Sequence, residues 1–237
     1  KMKYMFYSSD FHGIGHFTRN LKIIIFLSKY CMTSKFYLVS NKKFVVDKLP
    51  KNVKILLMPH ISLKQRPRNI RYKDVLPEEV DIWAKHLIKL VSDLKPNVFY
   101  SDLNPNGGYG ELRKVFPILL KKRIKTIIGL RDILDDKAQT IKEWMTSEAD
   151  KLSIFDYDKI FVFGEKEIFE KLYSKIVKNI NKICFTGYLL PEKGNSSSKT
   201  KSIDIFAMFG GGGKAIDQVN KISHILNKMK NKKVVIL

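Results

Sequence analysis

Asp10, His12, Gly13, Gly15 and His16 lie within one seven-residue stretch, Asp10-Phe11-His12-Gly13-Ile14-Gly15-His16. It follows a short apolar segment, Tyr4–Tyr7, that reads as a strand, and it runs into a helical pattern over His16–Lys29. Two glycines at such a turn let the backbone approach an anion at a helix N-terminus. A histidine there titrates near neutral pH and can exchange a proton with a ligand, so His16 is a candidate ligand-facing residue. Asp10, His12 and His16 also have the donor types of a metal site. No fourth partner of matching spacing follows, and no metal is expected. The turn is not a dinucleotide fingerprint: the third glycine position holds Thr18, and the second strand ends Val39-Ser40-Asn41 without an acid.

A second glycine turn, Gly210-Gly211-Gly212-Gly213, again follows an apolar stretch and opens a helical one. It is not a Walker A loop, because Met208 and Ala215 occupy the positions of the first glycine and of the magnesium-binding hydroxyl. Four glycines in a row are costly in backbone entropy, which suits close packing against a phosphate or another domain. Other strand ends carry Ser101-Asp102 with Asn104 and Asn106, and Gly129-Leu130-Arg131-Asp132. Arg131 and Asp132 are candidates for the site or for pairing with one another. Asp156-Tyr157-Asp158 has a metal-motif shape but precedes its strand, which makes it a helix-to-strand turn. Nucleophile-elbow, HExxH and zinc spacings are absent.

The elements that position these turns alternate throughout. Strand-like runs at Lys35–Ser40, Lys54–Leu57, Asn97–Tyr100, Lys125–Gly129, Lys159–Phe163 and Lys182–Phe185 are separated by helical patterns at Glu78–Leu94, Tyr109–Lys121, Ala138–Ser153 and Lys166–Ile176. Such alternation predicts an α/β fold with a parallel sheet of six or seven strands, covered on both faces. Trp83 and Trp144 sit on apolar helix faces and should be shielded. The linker-like stretch at 189–202 divides an N-terminal domain, 1–188, from a strand–helix–strand unit at 203–237. That unit is too small to offset its own ordering entropy, so it is expected to begin a second, larger domain.

The chain has 237 residues and a formal charge of +21, from 44 basic and 23 acidic residues. The excess is mostly lysine, whereas arginine is the preferred reader of bases and phosphates, so nucleic acid is not expected as a partner. The segment between Asp47 and Asp74 has no acid and holds three of the seven arginines, Arg66, Arg68 and Arg71. It could face an anionic acceptor or a membrane surface. The longest apolar run, Ile23 to Leu27, is far short of the roughly 20 residues of a membrane span. The two cysteines, Cys31 and Cys184, lie in apolar strings and are expected to be buried free thiols.

Taken together, these motifs show a resemblance. It rests on Asp10…Gly13-Ile14-Gly15-His16…Arg19, on Gly-Leu-Arg-Asp-Ile-Leu-Asp-Asp at 129–136, and on Trp144. Phe161-Val162-Phe163-Gly164, Phe185-Thr186-Gly187-Tyr188 and the four-glycine turn complete it. The chain resembles the MurG-like, family 28-type glycosyltransferases of the GT-B fold, in particular a bacterial branch, over essentially its whole length. The resemblance implies two Rossmann-like domains facing across a cleft, with the acceptor on the N-terminal domain and the nucleotide-sugar donor on the C-terminal one. It implies hexosyl transfer that is inverting and needs no metal or other cofactor. His16 would face the cleft as general base, with Asp10 or Asp132 orienting it or taking its place. Gly13, Gly15, Arg19, Arg131 and Gly210 to Gly213 would hold substrate or phosphate. Much of the donor domain would lie beyond Leu237, so this stretch is expected to be inactive alone. The implied acceptor is unspecified, anionic or lipid-linked, and the implied location is the cytoplasm or the inner membrane face. A related group hydrolyses nucleotide sugars. A non-catalytic scaffold and an anion- or nucleic-acid-binding protein are the rival classes.

Overall fold

The structure is a computed structural model. It describes residues 1–8, 14–41, 43–46, 48–59, 77–102, 104–134, 137–142, 151–173, 180–190, 204–207, 215–226 and 233–236. Asp10, His12, Gly13, Trp144, Gly210–Gly213 and the arginines at 66, 68 and 71 lie outside these residues.

The chain divides into two compact units, and the break along the sequence falls between Leu189 and Leu190. In the first, seven strands make one sheet: β1 (Lys3–Ser8), β2 (Lys35–Ser40), β3 (Val53–Leu57), β4 (Val98–Asp102), β5 (Lys125–Arg131), β6 (Lys159–Phe163) and β7 (Ile183–Phe185). Their order is β3-β2-β1-β4-β5-β6-β7, and every pair is parallel. The chain therefore builds outward from β1 to β3, returns across the sheet, and builds outward again from β4. This reversal places the switch point between β1 and β4, where parallel α/β sheets open a crevice at their carboxyl ends.

Period-two alternation splits the side chains between two layers. Met5 and Tyr7 enter one core with Trp83, Leu87, Phe99, Val115 and Phe169, while Phe6 enters the other with Phe17, Ile24, Phe36, Leu38 and Tyr100. Helix α1 (Gly15–Tyr30) covers the second layer, over β1, β2 and β3. Helices α2 (Pro77–Leu94) and α3 (Leu112–Lys121) pack together and supply residues to the first layer. Helix α2 starts at a proline with Glu78 and Glu79 in its first turn, both suited to the positive end of the helix. Trp83 is shielded as expected, with Nε1 donating to the Pro59 carbonyl at 3.1 Å and its ring stacked on Tyr109.

The second unit contains β8 (Ile205–Ala207), a helix (Ala215–Leu226) and β9 (Val234–Ile236), with β8 and β9 parallel. Among the described residues no helix is long and apolar enough to cross a membrane.

Three expectations need correction. The helix expected over Ala138–Ser153 is helical from Lys137 to Thr140, and it does not reach Ser153. Ser153 instead caps a 3-10 turn, Ile154–Asp156, by a reciprocal capping box with Asp156. Helix α3 begins at Leu112 and not at Tyr109, because Gly107 and Gly110 have positive φ and the preceding loop folds around Glu111. Neither cysteine is buried. Cys184 is exposed on β7, at the end of the sheet where alternate residues lose their cover, and Cys31 is half-buried.

Glu111 is wholly buried and accepts from the Tyr7 hydroxyl at 2.5 Å and from the Gly108 and Tyr109 amides at 2.8 Å. A β-carbon at Gly107 would lie 2.3 Å from its Oε1, so the loop admits only glycine there. Burial raises the Glu111 carboxyl above its usual range, against these hydrogen bonds, which lower it. A carboxyl raised by folding holds its proton more tightly in the fold. Its contribution is full below the unfolded value near ~4.3 and is lost as pH rises through the folded value. Thermal melts of the parent chain should therefore fall across that window, whereas Glu111→Gln should lack this component. Glu111→Ala should cost about 2–4 kcal/mol, because it opens a cavity and strands two amides.

Candidate active site

The β1–β4 switch point carries three side chains in one connected unit. His16 and Arg19 are three residues apart on the first turns of α1, a spacing that puts both on one helix face. Asp102 is the last residue of β4. His16 Nδ1 lies 2.9 Å from Asp102 Oδ2, and an Arg19 terminal nitrogen donates to Asp102 Oδ1. The Asp102 side chain is completely buried, that of Arg19 is 15% exposed and that of His16 28%. An ionised carboxylate only accepts hydrogen bonds. It therefore draws the imidazole proton to Nδ1 and leaves Nε2 with its lone pair. Nε2 makes no hydrogen bond among the described residues.

The surroundings are apolar on one side. The Arg19 guanidinium lies over the Phe163 ring, 5.8 Å from its centroid. Tyr100, two residues before Asp102, is buried against Phe6, and its hydroxyl finds no hydrogen-bond partner among the described residues. Burial pushes that phenol far above its usual range; the Asp102 charge adds to the rise and Arg19 offsets part of it. Tyr100 is therefore a neutral neighbour. An open pocket of ≈ 270 Å³ adjoins the unit, lined by Gly15, Thr18, Arg19, Lys22, Phe163 and Leu189. Gly15 opens α1, and among the described residues a β-carbon there would meet nothing within 4 Å.

Asp132 serves another contact. Its carboxylate accepts from the Tyr188 hydroxyl at 2.6 Å and from the Ile133 and Glu165 amides, and it packs so closely on Gly164 that a β-carbon would lie 2.3 Å from Cγ. Burial alone would make the carboxyl a weaker acid, but these hydrogen bonds outweigh that and hold it below its usual range. Its bonds tie the end of β5 to the segment after β7, and the partner of His16 is Asp102. Arg131 is exposed at the end of β5, and its Asp132 neighbour is engaged elsewhere. Asp156 and Asp158 are structural: Asp156 closes the capping box, and Asp158 accepts from the Thr126 amide and hydroxyl. Among the described residues no cluster of three or more His, Cys, Asp or Glu is arranged to hold a metal.

Solved structures with the same architecture follow from this topology. A UDP-glucosyltransferase from Polygonum tinctorium, described as capable of glucosylating indoxyl, matches 99% of the chain at TM-score 0.61 and 12% identity. A UDP-glucose: anthocyanidin 3-O-glucosyltransferase in complex with UDP matches 100% at TM-score 0.58 and 12% identity. The fold is of the GT-B type. A putative UDP-N-acetylglucosamine 2-epimerase from Listeria monocytogenes matches this GT-B arrangement over 100% of the chain, at TM-score 0.57 and 11% identity. The chain spans 65%, 66% and 62% of the lengths of these three structures, respectively. No family model matches the sequence, and no curated protein does.

Proposed function

We propose that the protein transfers a sugar from a nucleotide-sugar donor to an acceptor hydroxyl, with His16 as general base and Asp102 as its partner. The carrying observation is the His16–Asp102 contact at the sheet's switch point, with the carboxylate buried and the ring partly exposed. GT-B neighbours that act on UDP-sugars support the choice of donor class.

The chemistry follows from the contact. The acceptor oxygen forms a bond to the anomeric carbon as the bond to the nucleotide diphosphate breaks. Its proton passes to His16 Nε2, and the charge that develops on the ring is balanced by Asp102 through Nδ1–H. Direct displacement inverts the anomeric centre. The nucleotide sugar is a substrate, so the reading calls for no cofactor. The N-terminus of α1 at Gly15 favours negative charge nearby. Gly13 and the Gly210–Gly213 turn belong to the proposal as phosphate contacts. The acid-free segment between Asp47 and Asp74 supports an anionic or lipid-linked acceptor, and with it a peripheral place at a membrane.

The test is nucleotide release by the full-length protein across a set of nucleotide sugars, with and without added hydroxyl acceptors. Acceptor-dependent release with a new glycosidic product is expected. Equal release without any acceptor would make the protein a hydrolase, and no release with any donor would remove the enzyme reading.

A further inference from the structure

Asp102 is a carboxylate with no exposed side-chain surface, and among the described residues it has two partners, one on each oxygen. A neutral imidazole cannot supply the charge that a buried carboxylate needs to stay ionised. Arg19 supplies it. The guanidinium keeps its charge at any accessible pH. It is also fixed in place: its stem leaves the same helix face as His16, its head lies over Phe163, and it is mostly withdrawn from solvent.

We infer that Arg19 is a positioning residue for the His16–Asp102 pair: it keeps Asp102 ionised, turns Oδ2 toward Nδ1, and keeps the ring from holding a proton at Nε2. Gripping Oδ1 stops the carboxylate plane from rotating, because rotation would break both contacts at once. The cation also opposes the attraction that Asp102 exerts on an imidazolium. Without Arg19, Asp102 and a protonated His16 would form a buried ion pair, and Nε2 would be blocked as a proton acceptor. The charged and titratable described groups on the elements packed around the ring are Asp102 and Tyr100 from β4, and Arg19, Lys22, Lys29 and Tyr30 from α1, the last two at the far end of the helix. Tyr100 stays neutral, and Lys22 is exposed one helical turn beyond Arg19. Arg19 is the cation in contact with Asp102. This role differs from a phosphate clamp, which would require the guanidinium to leave the carboxylate.

The inference rests on the proposed use of His16, but its test does not need turnover. The ring C–H signals of His16 can be followed by NMR against pH in the chain itself, with thermal melts to verify folding. In Arg19→Met the ring should titrate higher than in the parent chain by about one pH unit, the scale of a neighbouring charge. Arg19→Lys keeps a cation without the planar fork and should shift in the same direction by less. An unchanged or lower midpoint in a folded Arg19→Met overturns the inference. If that variant does not fold, an unchanged midpoint in Arg19→Lys overturns it. An unshifted midpoint accompanied by weaker nucleotide-sugar binding assigns Arg19 to substrate and also overturns it. A shifted midpoint in a protein that turns over no nucleotide sugar leaves the positioning role standing and removes the proposed reaction alone.

Discussion

Replacing His16 by alanine should lower turnover of the nucleotide sugar by about 10²–10⁴-fold, the usual worth of a positioned general base. Folding should change little beside this loss, because the ring is partly exposed. Asp102→Asn should also impair turnover, since an amide can turn its NH2 toward Nδ1 and select the wrong tautomer. It should also lower stability, since it weakens the contact to Arg19 in a buried site. His12→Ala should cost less than either. The measurement is steady-state turnover of one donor by each variant of the full-length protein, with thermal melts alongside. Full activity in His16→Ala would end the assignment and return the base to Asp10.

The largest stability effect should come from Gly129→Ala. A β-carbon there would stand 1.6 Å from the Tyr100 hydroxyl oxygen and 2.5 Å from its ring carbon Cζ, with Phe163 Cε2 at 3.0 Å. Both rings are buried and cannot swing into solvent. Overpacking of this severity should cost about 3 kcal/mol or more. Tyr100→Phe removes the nearest atom, and with it a buried hydroxyl without a hydrogen-bond partner among the described residues, so alone it should stabilise by about 1 kcal/mol. The double variant should recover part of the loss and not all, because Cζ remains too close. Urea unfolding of the four proteins gives the cycle directly. A loss under about 1 kcal/mol for Gly129→Ala would show that the β4–β5 contact yields more easily than a packed core should.

The sheet was legible because strands and helices alternate with a clean change of period. The first helix was legible as well, since Phe17, Leu21 and Ile24 recur at three and four and do pack inward. Helix ends were less so: the start of α3 depends on the Glu111 side chain, whose partners include Tyr7 from a distant strand. His16 stood out through local features, a glycine turn at a strand end. Its partner did not. Ser101-Asp102 was visible as a strand end, but no local property distinguishes Asp102 from Asp132. Strand order decides between them. β4 lies beside β1 and β5 lies beyond it, so the acid that ends β4 reaches α1. Arg19 shows the same limit, since its motif spacing was visible whereas its acceptor, 83 residues away, was not.

That strand order also sets a sequence of events in the life of the chain. Strands β1, β2 and β3 with α1 can assemble from residues synthesised before β4. The other edge of β1 then stays open until α2 has formed and β4 has returned to close it. Closing a loop of this length is slow compared with local pairing. During that interval β1 presents unpaired backbone groups and Tyr7 and Phe99 lack their mutual cover, which invites pairing with another chain. The His16–Asp102 contact comes into being only when this edge is sealed. A nascent chain stalled before Asp102 should therefore depend on chaperones, and release of a few further strands should end that dependence.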